Sequence, residues 1–331
     1  MINWEHKKVL VCGGCGMIGS HMSRELLERG AEVTIVDDLS SGSEKNIEDI
    51  RDDVEFFQRD LRDSKICNIF TLGKDVVFQL AADMGGIGYI TAIGAQIMHN
   101  SAMINLNMLE AARREATPNY FYSSSACVYP EYLQKEAEVT PLKESDAVPA
   151  EPDQFYGWEK LFSEKLVEAY QKDYGMRIRM ARFHNIFAGC YTAYDKDKAK
   201  APCHLIIKAM KHPNPPFELW GDGKATRSFL YIDDCIDGVL KLMGSDYPSP
   251  INIGSDRLIS VDDLAKIIIG ISGKDIVPEH DENKPTGVRG RNADLTLVEK
   301  VLDWRPKVSL EDGLERTYRW AEEHYTELEN I

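Results

Sequence analysis

The chain has 331 residues, enough for about two domains, and its 43% hydrophobic and 28% charged residues are ordinary for a globular protein. A formal net charge of -15 argues against a nucleic-acid-binding surface, so any phosphate-bearing ligand must be held by local cations and backbone N–H groups. No apolar run is long enough to span a bilayer, the first eight residues lack an apolar signal core, and seven cysteines are expected as reduced thiols of the cytoplasm.

A glycine-rich turn follows the first predicted strand, which runs from Lys8 to Cys12. Glycines at three-residue intervals permit a tight turn, close approach of the backbone to a pyrophosphate, and close packing of the next helix on the strand. That helix, predicted to end at Gly30, offers the N–H groups of its first turn to the pyrophosphate. The predicted cofactor contacts here are Gly13, Gly16, Met17, Ile18 and Gly19.

Two cysteines in the same turn, Cys12 and Cys15, match a Cys-x-x-Cys pattern. No second pair of ligands accompanies them, and the glycines between them have another use. We therefore predict no metal site.

An acid follows the second predicted strand, which covers residues 32–36. Asp37 lies about 20 residues beyond the glycine turn, where dinucleotide-binding proteins carry the carboxylate that binds the ribose hydroxyls. Because a carboxylate there disfavours a 2′-phosphate, we predict NAD rather than NADP.

Strands and helices then alternate along the chain. Strands are predicted at 54–59, 75–80, 120–124 and 177–183, and helices at 63–72, 95–115 and 154–174. This alternation predicts an α/β fold with a doubly wound parallel sheet of the Rossmann type. Asp60 and Leu61, just past the third strand, are placed to contact the adenine, although an Asp at a strand end is as often only a helix cap.

The pattern changes past about residue 185. A helix opens at Pro202 and ends at 212–216, a short strand covers 217–220, Ser260 with Asp263 caps another helix, and an amphipathic helix covers 310–328. We expect a smaller C-terminal α/β lobe for the substrate, made of 187–228 and 259–331. The NAD-binding domain is expected at 1–186 with part of 229–258.

A tyrosine and a lysine one turn apart lie on the predicted helix at 154–174. Lys160 is expected to favour the phenolate of Tyr156 and to lower its pKa from about 10. Tyr156 can then take a proton from a sugar or alcohol hydroxyl while a nicotinamide takes the hydride. Both side chains are also expected to contact the cofactor. Such pairs are common on solvated helix surfaces, but here a dinucleotide site and a serine-rich strand end accompany it.

The glycine turn, Asp37, the strand end Ser123-Ser124-Ser125, and Tyr156 with Lys160 together resemble the extended short-chain dehydrogenase/reductase family. Members of that family mostly act on nucleotide sugars. The resemblance covers nearly the whole chain and is closest to members that epimerise GDP-hexoses at carbons 3 and 5. The segments that carry this closer resemblance are 81–86, 125–130, 143–146, 149–152, 182–185, 200–202 and 287–292.

The resemblance implies a redox-neutral cycle with NAD. Tyr156 removes the proton of the hydroxyl on sugar carbon 4 while NAD accepts the hydride, and Ser125 hydrogen-bonds that oxygen. The ketone acidifies the flanking carbons; Cys127 then removes a proton from one face and Lys200 returns one to the other. From the residues alone, packing explains Cys127 about as well, and a solvated run of lysines explains Lys200 better than a catalytic role does.

The remaining substrate contacts are also implied by the resemblance: Gly85, Asn185, Lys208, Arg227 and Arg291. The two arginines suit a diphosphate because a guanidinium binds it bidentately, although either could instead pair with a surface carboxylate. A nucleotide sugar, with a GDP-hexose favoured, and a homodimer through two helices per subunit complete these expectations.

Three positions depart from the family pattern. Ala199 replaces a glutamate, the segment 195–198 is charged where a glycine-rich approach is usual, and Ser101 replaces an asparagine. The first two changes leave the nucleotide and the stereochemistry open.

Two other functions remain as alternatives. A 4-epimerase needs only the tyrosine, the lysine and a serine. A non-catalytic dinucleotide-binding regulator is disfavoured, because Tyr156, Lys160 and Ser125 are intact together. Ala126 and Cys127 stand where the Asp-Glu pair of a 4,6-dehydratase would follow the serines, which argues against dehydration.

Overall fold

A parallel sheet of seven strands forms the centre of the molecule. The computed structural model describes residues 2–194 and 199–328. In chain order its strands are β1 (Lys8–Cys12), β2 (Glu32–Asp37), β3 (Glu55–Gln58), β4 (Val76–Gln79), β5 (Asn119–Ser125), β6 (Ile178–Phe183), β7 (Ile186–Phe187), β8 (Glu218–Trp220), β9 (Thr226–Arg227), β10 (Leu230–Tyr231), β11 (Pro250–Ile253), β12 (Ile259–Ser260), β13 (Glu279–Asp281) and β14 (Gly290–Arg291). The order across the central sheet is β11-β6-β5-β4-β1-β2-β3, and every pairing in it is parallel.

Helices cover both faces of this sheet, and others form a smaller lobe beyond it. They are α1 (Met17–Glu28), α2 (Ser64–Thr71), α3 (Ile87–Ala92), α4 (Gly94–Arg114), α5 (Phe155–Tyr174), α6 (Ala201–Lys211), α7 (Ile232–Gly244), α8 (Val261–Ser272), α9 (Thr296–Leu302), α10 (Leu310–Glu323) and α11 (Tyr325–Leu328). The alternation of side chains along β1 separates two apolar cores: Val9 and Val11 pack with the α1 and α7 side, whereas Leu10 packs with α2, α4 and α5. A strand buried on both faces is therefore apolar, as residues 9–12 of β1 are.

A smaller lobe lies beyond the sheet and has its own apolar core. Helices α6, α8 and α10 pack together there, through residues such as Ile206, Leu264 and Leu314. Short strands join it in the orders β12-β9-β14 and β13-β8. Within residues 2–194 and 199–328, no helix is long and apolar enough to cross a membrane.

The predicted fold class is confirmed, and most differences concern short elements. Helix α3 and strand β11 were not predicted, because six and four residues show too little periodicity. The final helix, predicted through 328, ends at Glu323, and α11 is separate. The cap of α8 is as predicted: the Ser260 hydroxyl accepts a hydrogen bond of 3.0 Å from the N–H of Asp263. The charged segment 195–198 lies outside the described residues.

Candidate active site

The glycine turn lies where the strand order reverses, between β1 and β4. Gly13 has φ +74°, and a Cβ there would lie 2.8 Å from the Cα of Ala81, just past β4. A Cβ on Gly19 would overlap the carbonyl of Gly13, so both glycines are required by packing. Gly16 is different: its Cβ would touch only that carbonyl, at 3.4 Å, and no side chain caps the N-terminus of α1. The open helix end therefore fits a pyrophosphate.

Asp37 is fixed at the carboxyl end of β2 by two backbone groups. Its oxygens accept hydrogen bonds of 2.9 Å from the N–H groups of Cys15 and Leu39. The carboxylate is buried, and burial raises its pKa despite these two bonds. Each oxygen keeps a lone pair, so the carboxylate can still accept from ribose hydroxyls.

A cavity of about 440 Å³ begins at this turn. Seven of the predicted cofactor residues line it: Gly13, Gly16, Met17, Ile18, Gly19, Asp37 and Leu61. Asp60 does not line it, so the prediction that Asp60 contacts the adenine is not supported. Its carboxylate is held instead by the Arg62 guanidinium at 2.7 and 2.9 Å, which keeps the pKa of Asp60 below its usual range. Arg59 and Arg62, which the sequence analysis missed, line the cavity.

A second cavity of about 270 Å³ adjoins the first and shares Met84, Gly85 and Lys200 with it. All eight predicted substrate residues line this second cavity: Gly85, Ser125, Cys127, Asn185, Lys200, Lys208, Arg227 and Arg291. Tyr156 lines it as well, whereas neither Tyr156 nor Lys160, both expected to contact the cofactor, lines the first cavity. Residues from both the sheet edge and the smaller lobe thus converge on one space.

The helix α5 brings Tyr156 against the end of β5. Its next residue, Gly157, packs on the carbonyl of Cys127 so closely that a Cβ would overlap that oxygen. Lys160 is 1% exposed, and its ammonium donates 2.8 Å to the carbonyl of Ser123 and lies 5.7 Å from the Tyr156 ring centroid. The helix thereby holds the tyrosine beside the strand end that carries the predicted serine and cysteine.

The prediction that Lys160 lowers the pKa of Tyr156 is wrong for the polypeptide alone. Burial raises the pKa of Tyr156, with the Cys127 sulfur and the Glu159 carboxylate acting in the same direction. Only a hydrogen bond with Ser125 opposes them. The reason is geometric: the ammonium faces the ring and the Ser123 carbonyl, and burial lowers its own pKa.

Cys127 and Lys200 face the second cavity from different elements. Cys127 is half-buried just after β5, and its N–H donates 3.2 Å to the Ser125 hydroxyl, whereas the other six cysteines are buried. Lys200 precedes α6, and burial lowers the pKa of its ammonium. A lysine with a lowered pKa gives up its proton more readily near neutral pH. The geometry therefore supplies a thiol and an ammonium in one cavity.

The two predicted arginines differ in how they are held. Arg227 donates to the carbonyls of Thr226 (2.7 Å), Thr286 (3.1 Å) and Val288 (2.5 Å), and burial lowers its pKa to about 10. Arg291 is 6% exposed and donates to three side chains: Gln134 (2.5 Å), Cys127 Sγ (3.3 Å) and Asp153 (2.9 Å). Arg291 is therefore a buried residue held by three side chains of the protein rather than a surface ion-pair partner.

Two other predicted substrate residues are fixed by backbone carbonyls. The side-chain amide of Asn185 donates 2.9 Å to the carbonyl of Ser228, and the ammonium of Lys208 donates 2.6 Å to that of Glu218.

Several cavity residues were missed by the sequence analysis. Asp153, His204, Glu218 and Trp220 line the second cavity, and the rings of His204 and Trp220 meet edge to face at 5.6 Å. The sequence offered a signal for Asp153 in its position, because it comes three residues before Tyr156.

Comparison with known proteins places this site in context. The model of the NAD dependent epimerase/dehydratase family matches residues 9–254. The chain is 45% identical to GDP-mannose 3,5-epimerase 1 of Oryza sativa subsp. japonica over 322 residues, which cover 96% of this chain and 82% of that protein. It is 44% identical to GDP-mannose 3,5-epimerase of Arabidopsis thaliana, over 96% of this chain and 83% of that protein.

A solved structure shares the fold over almost the full length. UDP-glucose 4-epimerase of Thermotoga maritima superposes with a TM-score of 0.87 at 27% identity, over 96% of this chain and 99% of that chain. The resemblance that rests on the glycine turn, the acid and the tyrosine–lysine pair is thereby confirmed.

Proposed function

Since this chain belongs to the NAD-dependent epimerase/dehydratase family, we propose that it epimerises a GDP-hexose, GDP-mannose, at carbons 3 and 5. The observation that carries the proposal is the second cavity, where Tyr156, Cys127 and Lys200 meet. A 4-epimerase needs no thiol and no second proton donor. The presence of both beside the tyrosine favours epimerisation at carbons next to carbon 4.

The residues around the first cavity fit NAD. The uncapped N-terminus of α1 and the bare Gly16 suit the pyrophosphate, and Asp37 suits the ribose hydroxyls and disfavours a 2′-phosphate. Bound NAD supplies reversible hydride acceptance at sugar carbon 4. The two cavities share Met84, Gly85 and Lys200, so a dinucleotide held in the first would lie next to a sugar held in the second.

Proton transfer falls to the chain's own side chains. Tyr156 takes the proton of the hydroxyl on carbon 4 and later returns it, while its bond with Ser125 opposes the burial that raises its pKa. Ser125 holds the same sugar oxygen by a hydrogen bond. Cys127 removes the proton from a carbon that flanks the ketone, and Lys200, with its lowered pKa, donates one to the opposite face.

The smaller lobe offers groups for the nucleotide. Arg227 and Lys208 supply positive charge for a diphosphate in an otherwise acidic chain, and Trp220 offers an aromatic face to a base. We assign the nucleotide-binding lobe to 187–228 and 259–331, and the NAD-binding domain to 1–186 with part of 229–258. The separate apolar core of α6, α8 and α10 supports this division, whereas Leu295, Val298 and Trp304 of the assigned lobe pack in the core of the central sheet.

A homodimer is also part of the proposal. The exposed surface of the packed helices α4 and α5 carries large apolar side chains: Met98, Leu106, Phe155, Trp158 and Phe162. On α5 they are spaced so that they lie on one face. Two copies of this pair of helices would bury that face, and light scattering on Trp158→Glu, which should yield monomers, tests it.

Seven free cysteines support a cytoplasmic location.

The proposed reaction is tested by offering GDP-mannose and UDP-glucose in parallel to the purified protein. NMR of the product should show a GDP-hexose inverted at carbons 3 and 5, with UDP-glucose unchanged. Conversion of UDP-glucose alone, with inversion at carbon 4, would identify a 4-epimerase. No conversion of either sugar, with NAD bound, would support a non-catalytic binding protein.

A further inference from the structure

Arg291 lies in a position that binding a diphosphate does not explain. Its side chain is 8% exposed, and each of its three nitrogens already has an acceptor within the protein. One acceptor is the sulfur of Cys127, 3.3 Å from Nη1. These bonds use three of the five N–H groups of the guanidinium, and binding a diphosphate through the remaining two gives no reason for the bond to the sulfur.

The clamp around this guanidinium is itself rigid. Gln134 is 1% exposed; its oxygen accepts from Nε of Arg291, and its amide donates to the carbonyls of Tyr129 and Pro130 at 3.1 and 3.0 Å. On the other side the Asp153 carboxylate accepts from Nη2 at 2.9 Å. Fixing both ends of the planar fork leaves Nη1 directed at the sulfur.

We propose that Arg291 is a positioning residue for Cys127: its guanidinium, held between Gln134 and Asp153, orients the sulfur toward the sugar and stabilises negative charge on it. This inference rests on the proposed role of Cys127 as the carbon base. The thiolate is the reactive form of a cysteine, and a hydrogen bond from a buried cation favours that form.

The electrostatics of the neighbouring groups agree with the geometry. Burial acts to lower the pKa of Arg291, but the Cys127 sulfur and the Asp153 carboxylate outweigh it, and the pKa is raised. Arg227 and Lys200 also interact electrostatically with Cys127. Arg227, however, gives its hydrogen bonds to carbonyls, so it adds charge to the site without holding the sulfur.

The first test measures the thiol without any substrate. Iodoacetamide reacts with the purified full-length protein at a fixed pH of 7.5, and mass spectrometry follows the peptide that contains Cys127. The half-buried Cys127 should react first, because the other six cysteines are buried. In Arg291→Gln the rate of Cys127 alkylation should fall about tenfold. Arg291→Lys keeps the positive charge but loses the planar guanidinium, and its rate should lie between those of the wild type and Arg291→Gln. Arg289→Gln, which removes a half-buried pair with Asp222 outside the cavity, is the matched control and should react like the wild type.

The second test separates positioning from substrate binding. With GDP-mannose, Arg291→Lys should lower kcat by on the order of tenfold or more with KM little changed, because the interaction acts on the base. A raised KM with normal kcat and normal alkylation would overturn the inference and make Arg291 a diphosphate ligand. If Arg291→Gln does not fold, judged by circular dichroism, Arg291→Lys carries both tests. The alkylation result stands even if the proposed substrate is wrong, so the two failures are distinguishable.

Discussion

A buried ion pair braces the strand ends that carry the active-site residues. Arg182 on β6 donates to both oxygens of Glu164 at 2.9 and 2.8 Å, and the two side chains are 5% and 1% exposed. Arg182 also donates to the Tyr129 hydroxyl at 3.3 Å and to the Glu144 carbonyl at 2.8 Å. Ser124 of β5 donates 2.5 Å to the same Glu164. Arg182→Ala would therefore leave a buried carboxylate with one hydroxyl partner.

We expect Arg182→Ala to lower the free energy of unfolding by about 3–5 kcal/mol, the cost of a buried charge left without its partner. The matched control is Arg257→Ala, which removes a bidentate pair with Glu311 that is even shorter, at 2.5 Å, but whose members are 46% and 50% exposed. It should cost less than about 1 kcal/mol. Urea unfolding followed by tryptophan fluorescence measures both. Replacing Arg182 and Glu164 together by Met should cost less than Arg182→Ala, since no charge is then stranded. Equal losses for Arg182→Ala and Arg257→Ala would refute the reasoning.

Three further predictions follow from single positions. Gly157→Ala should lower stability by about 1–3 kcal/mol and reduce kcat, because its methyl group overlaps the Cys127 carbonyl. The control Gly270→Ala, whose Cβ meets nothing within 4 Å, should leave both almost unchanged or raise stability slightly. Thermal unfolding and rate assays measure these effects. Burial lowers the pKa of His184 to about 3, so below about pH 6.5 the unfolded chain binds a proton that the folded chain does not. The free energy of unfolding should therefore fall with decreasing pH, by up to about 1.4 kcal/mol per pH unit. Unfolding measured at about pH 5 and 6.5 should show a smaller dependence on pH in His184→Gln. Arg227→Ala should raise KM with kcat little changed, because its charge serves bound substrate and transition state alike, and steady-state kinetics that found the opposite split would contradict that role.

Local patterns explain why the cofactor half of the site was predictable. The glycine turn, Asp37 and the tyrosine–lysine pair each occupy a fixed position relative to one strand or helix, so spacing along the chain reports their place in space. The same holds for the fold class, since apolar strands alternate with helices over most of the chain. Asp60 shows the limit of such reasoning: its position past β3 was read correctly, but the choice between a ligand and Arg62 depends on side-chain packing.

The contacts of the second cavity depend on long-range packing that spacing does not report. Gln134 and Arg291 are separated by 157 positions, and Gln134 lies in an irregular segment without periodicity. The resemblance brought Arg291 to attention with a role for a diphosphate, yet only the fold reveals its bond with Cys127. The prediction for the pKa of Tyr156 was wrong for a related reason. Helix spacing places Lys160 one turn from Tyr156, but burial and the Ser123 carbonyl determine where its ammonium points.

Deuterium exchange tests the central claim, that Cys127 and Lys200 move protons at the carbons beside carbon 4. GDP-mannose is incubated with the protein in deuterated water, and NMR locates the label. Epimerisation at carbons 3 and 5 predicts deuterium at those carbons and none at carbon 4, whose hydrogen returns as hydride. Cys127→Ser should nearly abolish the label, because a serine hydroxyl is not ionised near neutral pH. An unlabelled product inverted at carbon 4, or wild-type exchange in Cys127→Ser, would contradict the account.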